Sequence, residues 1–210
     1  MSSSLYVIVD PEHCGGRDPV WVAERALLGG ASVLQLRSKG LTDGRRLELA
    51  RRLRLLTRDH GVQFWVNDRA DLALLSEADG LHLGQDDLPP REARRLVGPE
   101  LKLGLSTHSL AQARAALEEP VDLLGFGPVF TTRSKAHPDP EVGPSGLAQV
   151  LRVIPRPVVA IGGINSDNAG AVARLAPAYV AVISAVCGAP DPEAAARELV
   201  VLLSRSQADQ

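Results

Sequence analysis

Short apolar runs alternate along the chain with longer stretches of helical period. Leu5–Val9, Val33–Leu36, Gln63–Val66, Gly80–Leu83, Lys102–Leu105, Leu123–Phe126, Val158–Ile161 and Val180–Ile183 read as strands. Between them the spacing predicts helices over Val20–Leu28, Thr42–Asp59, Ala70–Ser76, Arg91–Val97, Leu110–Glu118, Gly146–Val153, Ser166–Arg174 and Pro192–Leu203. In the second of these, Leu47, Leu49, Leu53, Leu55 and Leu56 supply an apolar side and arginines the solvated one. Ser109, Asn165 or Ser166, and Asp191 before Pro192 are candidate N-caps.

Strict alternation of strand and helix means a parallel sheet, either open and doubly wound or closed into a barrel. Consecutive units without a linker favour an α/β fold with a single (β/α)8 TIM barrel, read as one catalytic domain over 1–210. Against the open sheet, the first strand runs into Asp10-Pro11-Glu12-His13 and not into a GxGxxG turn.

Composition narrows the classes. The 210 residues are 45% hydrophobic and 23% charged, which excludes wholesale disorder. Aromatics at 3% leave Leu, Val, Ile and Ala to build the core. With 23 Lys and Arg against 25 Asp and Glu, the net charge is −2, and no basic block marks a nucleic-acid partner. Cys14 and Cys187 belong to no CxxC or metal spacing, and Cys187 reads as core. Leu5–Val9 is too short for a signal peptide, and Ala178–Ala189 falls short of the roughly 18 residues of a membrane span. The expectation is a cytoplasmic protein with no membrane and no nucleic-acid partner; a homo-oligomer is compatible with it.

In a barrel the chemistry collects at the C-terminal strand ends. Gln35, Arg37 and Lys39 share parity after strand two, so they face the barrel mouth, where an inward pair of cations calls for an anion. Asp68 follows strand three and Asp87 strand four, bringing carboxylates of adjacent strands to one rim. That pair suits Mg²⁺, held by carboxylates plus substrate phosphate. The structural alternatives are a helix cap at Asp86 or Asp87, and a salt bridge from Asp68 to Arg69 or Arg37. Strand five ends in Ser106-Thr107-His108, strand seven in Gly162-Gly163 and strand eight in Ile183-Ser184. The long loop after strand six carries Thr132, Arg133, Ser134 and Lys135, donors and charge suited to phosphate oxygens. The loops after strands seven and eight are the customary barrel phosphate site. His82 lies inside strand four and reads as structural, and no Ser/His/Asp set emerges. Two anion sites in one mouth suggest an enzyme joining or rearranging two phosphorylated small molecules.

These motifs resemble the thiamine-phosphate synthase family over nearly the whole chain. The likeness rests on Gln35-Leu36-Arg37-Ser38-Lys39, Val66-Asn67-Asp68, the run Ala78 to Asp87, Gly104-Leu105-Ser106-Thr107-His108, Gly127-Pro128-Val129-Phe130 with Thr132 to Lys135, Ile161-Gly162-Gly163-Ile164, and Val182-Ile183-Ser184-Ala185. The resemblance implies a transferase of thiamine biosynthesis that joins hydroxymethylpyrimidine diphosphate to a thiazole phosphate, releasing pyrophosphate with Mg²⁺. It implies that Gln35, Leu36, Arg37, Ser38, Lys39, Asn67, Ser106 and Lys135 hold the pyrimidine diphosphate, and that Asp68 and Asp87 bind the metal. Thr132, Arg133, Ser134, Gly163, Ile183 and Ser184 would then hold the thiazole phosphate. Arg37, Lys39, Ser106 and Lys135 carry the expected catalytic roles, in a dissociative substitution without nucleophile or general base. Ser38 departs from a usual glutamate, and Ala176-Pro177-Ala178-Tyr179 from a usual Gly-Ala-Asp-Gly turn. The alternatives are the related thiazole tautomerase branch, with a histidine at the position of His108, and a noncatalytic phosphate-binding barrel.

Overall fold

In the computed structural model, which describes residues 3–132 and 139–205, eight parallel strands close into a barrel in sequence order. They are β1 Ser4–Val9, β2 Val33–Leu36, β3 Gln63–Asn67, β4 Gly80–Leu83, β5 Lys102–Thr107, β6 Leu123–Phe126, β7 Val158–Ile161 and β8 Tyr179–Val182. The helices are α1 Pro19–Leu28, α2 Asp43–Asp59, α3 Ala70–Leu75, α4 Pro90–Val97, α5 Leu110–Ala115, α6 Gly143–Val153, α7 Ala169–Ala173, α8 Ser184–Cys187 and α9 Pro192–Arg205. This is the (β/α)8 barrel that the alternation predicts. Among the described residues no helix is long and apolar enough to cross a membrane.

Side-chain parity sorts the strands into two cores. Outward residues such as Leu5, Val7, Val9, Leu34, Leu36, Phe64 and Val66 pack against the helices. Inward residues Tyr6, Ile8, Val33, Trp65, Leu123, Val159 and Ala181 fill the barrel. Bulk on one strand is matched by its absence on the next. Trp65 pairs in register with Gly80, and His82 with Gly104. A Cβ at Gly80 would stand 2.4 Å from the Trp65 indole, and one at Gly104 2.4 Å from His82 Nδ1. The few large interior side chains therefore dictate glycine beside them.

Side-chain caps set three of the helix starts. Asp18 Oδ1 accepts from the Val20 N–H before α1, Ser109 Oγ from the Gln112 N–H before α5, and Asp191 from the Glu193 and Ala194 N–H groups before α9. Many bounds shift from the expectation by one to three residues, and two differences have a local cause. Asn165 accepts from the Asp167 N–H and Asn168 from the Asn165 N–H, so a side-chain-bonded turn occupies the start of the expected 166–174 helix and α7 begins at Ala169. The short α8 after β8 is unforeseen, because it lies in a continuous apolar run without period.

Candidate active site

A cavity of about 1040 Å³ opens at the C-terminal ends of the strands, large enough for two small molecules against the usual range of about 300–1,000 Å³. Its floor is the top layer of the barrel interior, with Tyr6 and Ile8 from β1, Gln35 from β2, His82 from β4, and Val159 and Ala181 from β7 and β8. Gln35 is buried, and its Nε2 donates to the Tyr6 hydroxyl at 2.7 Å. Burial pushes the Tyr6 phenol well above its ordinary pKa, so it stays protonated. His82 Nε2 lies 3.0 Å from Ser106 Oγ, which puts a hydroxyl and an imidazole together on the floor.

One rim carries charge. Arg37 and Lys39 follow β2, Asn67 and Asp68 close β3, and Asp87 follows β4; all of them line the cavity. Arg46 of α2 donates to the carbonyls of Ser38 (2.8 Å) and Lys39 (2.7 Å), anchoring the loop that carries the cations. Arg37 Nη1 donates to Asp10 Oδ2, and Lys39 Nζ stands 3.4 Å from Asp68 Oδ2. Asp87 Oδ2 accepts from the Gly84 N–H at 2.7 Å. Asp68 takes a positive φ of 65°, a conformation that aspartate tolerates better than most residues. Burial, and then the neighbouring Asp87 carboxyl, push Asp68 up to about 6, with Lys39 opposing. A carboxyl whose ionisation a neighbouring carboxyl opposes is a fitting seat for a divalent cation. Among the described residues no group of three or more His, Cys, Asp or Glu is arranged to hold a metal, so a cation here would draw its remaining oxygens from substrate and water.

The opposite rim is built from backbone. After β6 the chain bonds alongside the end of β7, Val129 N–H to Ile161 O at 2.9 Å and Phe130 N–H to Gly162 O at 3.0 Å. That seats Thr131 and Thr132 beside Gly162 and Gly163. Gly163 has φ +64°, and a Cβ there would lie 2.4 Å from Thr131 O, so no other residue fits without displacing the loop. Ile183 and Ser184, at the start of α8, complete this side.

Gln35, Arg37, Lys39, Asn67, Asp68, Asp87, Ser106, Thr132, Gly163, Ile183 and Ser184 thus share one cavity. Leu36 and Ser38 do not reach it. Leu36 has the opposite parity and packs in the strand–helix core, and Ser38 is absent from the lining. Arg133, Ser134 and Lys135 lie outside the described residues. Of the structural alternatives, the helix-cap reading of Asp87 fails, since Pro89 precedes α4 and Asp87 bonds back to Gly84. The partner of Asp68 is Lys39, not Arg69, which pairs with Asp43 and Asp71. His108 has Nδ1 2.6 Å from Gly127 O and Nε2 3.3 Å from Asp139 Oδ2, so both ring nitrogens face protein groups. Sequence reasoning missed Tyr6, the cavity-facing role of His82, and Asp10. Asp10 directly follows β1, as Arg37 follows β2, but nothing in its own segment marks the partner.

Comparison with known proteins shows the family. The family model described as thiamine monophosphate synthase matches residues 5–186. A thiamine-phosphate synthase of Anaeromyxobacter dehalogenans (strain 2CP-C) is 54% identical over 195 residues, covering 93% of this chain and 85% of that protein. One from Moorella thermoacetica is 46% identical and covers 97% of each chain. Among solved structures, thiamine phosphate pyrophosphorylase from Pyrococcus furiosus superposes with a TM-score of 0.89 at 38% identity, over 97% of this chain and 96% of that one. The chain therefore belongs to the thiamine monophosphate synthase family and is a transferase of thiamine biosynthesis.

Proposed function

We propose that the chain joins hydroxymethylpyrimidine diphosphate to a thiazole phosphate, giving thiamine phosphate and pyrophosphate. The observation that carries this reading is the division of one cavity into a charged rim, with Arg37, Lys39 and the Asp68–Asp87 pair, and a glycine-lined rim at the ends of β7 and β8. The first suits a diphosphate with a divalent cation. The second has the place in the barrel where single phosphates customarily bind, beside a short extra helix.

In this reading the pyrimidine lies on the floor, over the Gln35 amide and near Ser106 and His82, so that its diphosphate reaches Arg37 and Lys39. Asp68 and Asp87 would hold Mg²⁺, which when bound offsets charge on the departing pyrophosphate oxygens. The bond from the pyrimidine methylene carbon to the diphosphate oxygen breaks, and its electron pair leaves with pyrophosphate. The thiazole nitrogen then donates its lone pair to form the new carbon–nitrogen bond. Arg37 and Lys39 stabilise the leaving group by their charge and need no proton transfer. Thr132, Gly163, Ile183 and Ser184 orient the thiazole phosphate. Lys135, by its place in the motif, adds a further cation.

Incubation with both substrates and Mg²⁺ tests the proposal. Thiamine phosphate and pyrophosphate should appear in equal amounts. No product, with interconversion of thiazole tautomers in its place, would sink it.

A further inference from the structure

The geometry points to Asp10 as the positioning residue of Arg37: a buried carboxylate outside the cavity that fixes the guanidinium in the plane from which it meets the diphosphate. This inference rests on the function proposed above, because it takes Arg37 as a leaving-group contact.

Asp10 and Arg37 are the first residues past β1 and β2, and the last register pair of those strands is Val9 with Leu36. The Arg37 N–H donates to Val9 O at 3.0 Å, so the ladder continues past the strand ends and sets the two residues side by side. Asp10 is fully buried and does not line the cavity, whereas the Arg37 side chain does, at 13% exposure. The two oxygens of Asp10 are used differently. Oδ1 accepts from the Glu12 N–H at 3.1 Å, which fixes the carboxylate to its own turn. Oδ2 accepts from Arg37 Nη1. His13 Nδ1 stands 3.3 Å from the same oxygen, without hydrogen-bond geometry.

A fully buried carboxylate is costly unless paired, and its partner here is the one cation of the strand-two motif that is mostly buried. Arg37 spends one nitrogen on Asp10. Among the described residues, Nε and Nη2 have no protein acceptor and remain for an anion. A guanidinium is planar and rigid, so holding one nitrogen sets the direction of the others. Lys39 is 61% exposed and its ammonium stands 3.4 Å from Asp68, a looser hold at the end of a flexible stem.

The test is a double-mutant cycle read by calorimetric binding of pyrophosphate with Mg²⁺, together with the KM of each substrate. Asp10→Asn keeps an acceptor for the Glu12 N–H and removes the charge. It should weaken pyrophosphate binding and raise the KM for the diphosphate about tenfold, as for loss of one charge-assisted contact. The KM for the thiazole phosphate should stay unchanged. In an Arg37→Ala background Asp10→Asn should add nothing, because its effect runs through Arg37. Asp10→Glu moves the charge by one methylene while keeping it, and should show the same non-additivity, so the cycle does not hang on the folding of the neutral variant. Full additivity, equal losses for both substrates, or unchanged binding in Asp10→Asn would overturn this role alone. If Arg37→Ala itself bound pyrophosphate normally, the assignment of the charged rim would fall, and this role with it.

Discussion

The carboxyl group of Asp87, carried past the end of the neighbouring strand, lies close enough to Asp68 in the cavity to oppose its ionisation. Their opposition makes the site a source of instability when no metal is bound. The folded state holds the Asp68 proton up to about 6, above the ordinary 3.8. The folded form therefore binds more protons in that window, and stability falls as pH rises through it. Asp68→Asn should raise the stability of the metal-free protein at about pH 8 by on the order of 2 kcal/mol, with no gain below the window. Asparagine also suits the positive φ at this position. Urea melts across pH, with and without Mg²⁺, check this. Mg²⁺ should stabilise the unaltered chain and leave the variant unmoved.

Gly163→Ala should disable the glycine-lined rim. The new methyl group would meet Thr131 O at 2.4 Å and the Phe130 carbonyl at 2.8 Å, at a backbone angle that alanine resists. We expect a loss of about 1–3 kcal/mol of stability, and a KM for the thiazole phosphate raised at least about tenfold. Pyrophosphate binding at the other rim should stay intact. Steady-state kinetics with each substrate varied in turn reads the difference.

Gly104→Ala should act through His82. A Cβ there would lie 2.4 Å from Nδ1 and 3.0 Å from Leu123 Cδ1, so the imidazole must tilt away from Ser106 Oγ. If the His82–Ser106 contact orients the pyrimidine, turnover should drop by about tenfold or more. Ser106→Ala should give a comparable loss, and combining the two changes should add little.

Tyr6→Phe removes the oxygen that accepts from Gln35 Nε2. A buried amide donor left unpaired costs about 1–3 kcal/mol. The variant should melt earlier by that amount, and the pyrimidine diphosphate should bind less tightly as the amide loses its fixed orientation. Differential scanning calorimetry and substrate titration measure the two effects.

What the chain discloses before folding follows from where its signals are local. The strands were legible because short β-branched runs alternate with helical spacing, and the rim because its polar residues lie at or within a few residues of a strand's C-terminal end. Parity alone separates Gln35, Arg37 and Lys39 from Leu36 and Ser38, and the structure keeps that separation. The floor was not legible. Tyr6 and His82 sit mid-strand, where an aromatic ring or a histidine reads as core. The room for His82 comes from glycines on the next two strands: a Cβ at Gly104 would lie 2.4 Å from Nδ1 and one at Gly125 3.1 Å from Cε1. Asp10 was hidden for a different reason: its partner lies 27 positions away, and only the pairing of β1 with β2 makes them neighbours. The turn at Asn165–Asn168 looked helical because its side-chain bonds use the residue types that also cap helices.

The central claim is that the charged rim handles a metal-bound diphosphate leaving group. The measurement that tests it most directly is Mg²⁺-dependent pyrophosphate release from both substrates, compared between the unaltered chain and Asp87→Asn. This variant keeps an acceptor for the Gly84 N–H and so preserves the local fold. The account predicts that Asp87→Asn melts normally and loses at least about a hundredfold in turnover, the scale of removing one electrostatic stabiliser from the reacting site. A folded Asp87→Asn protein releasing pyrophosphate at the unaltered rate, with the same Mg²⁺ dependence, would contradict it.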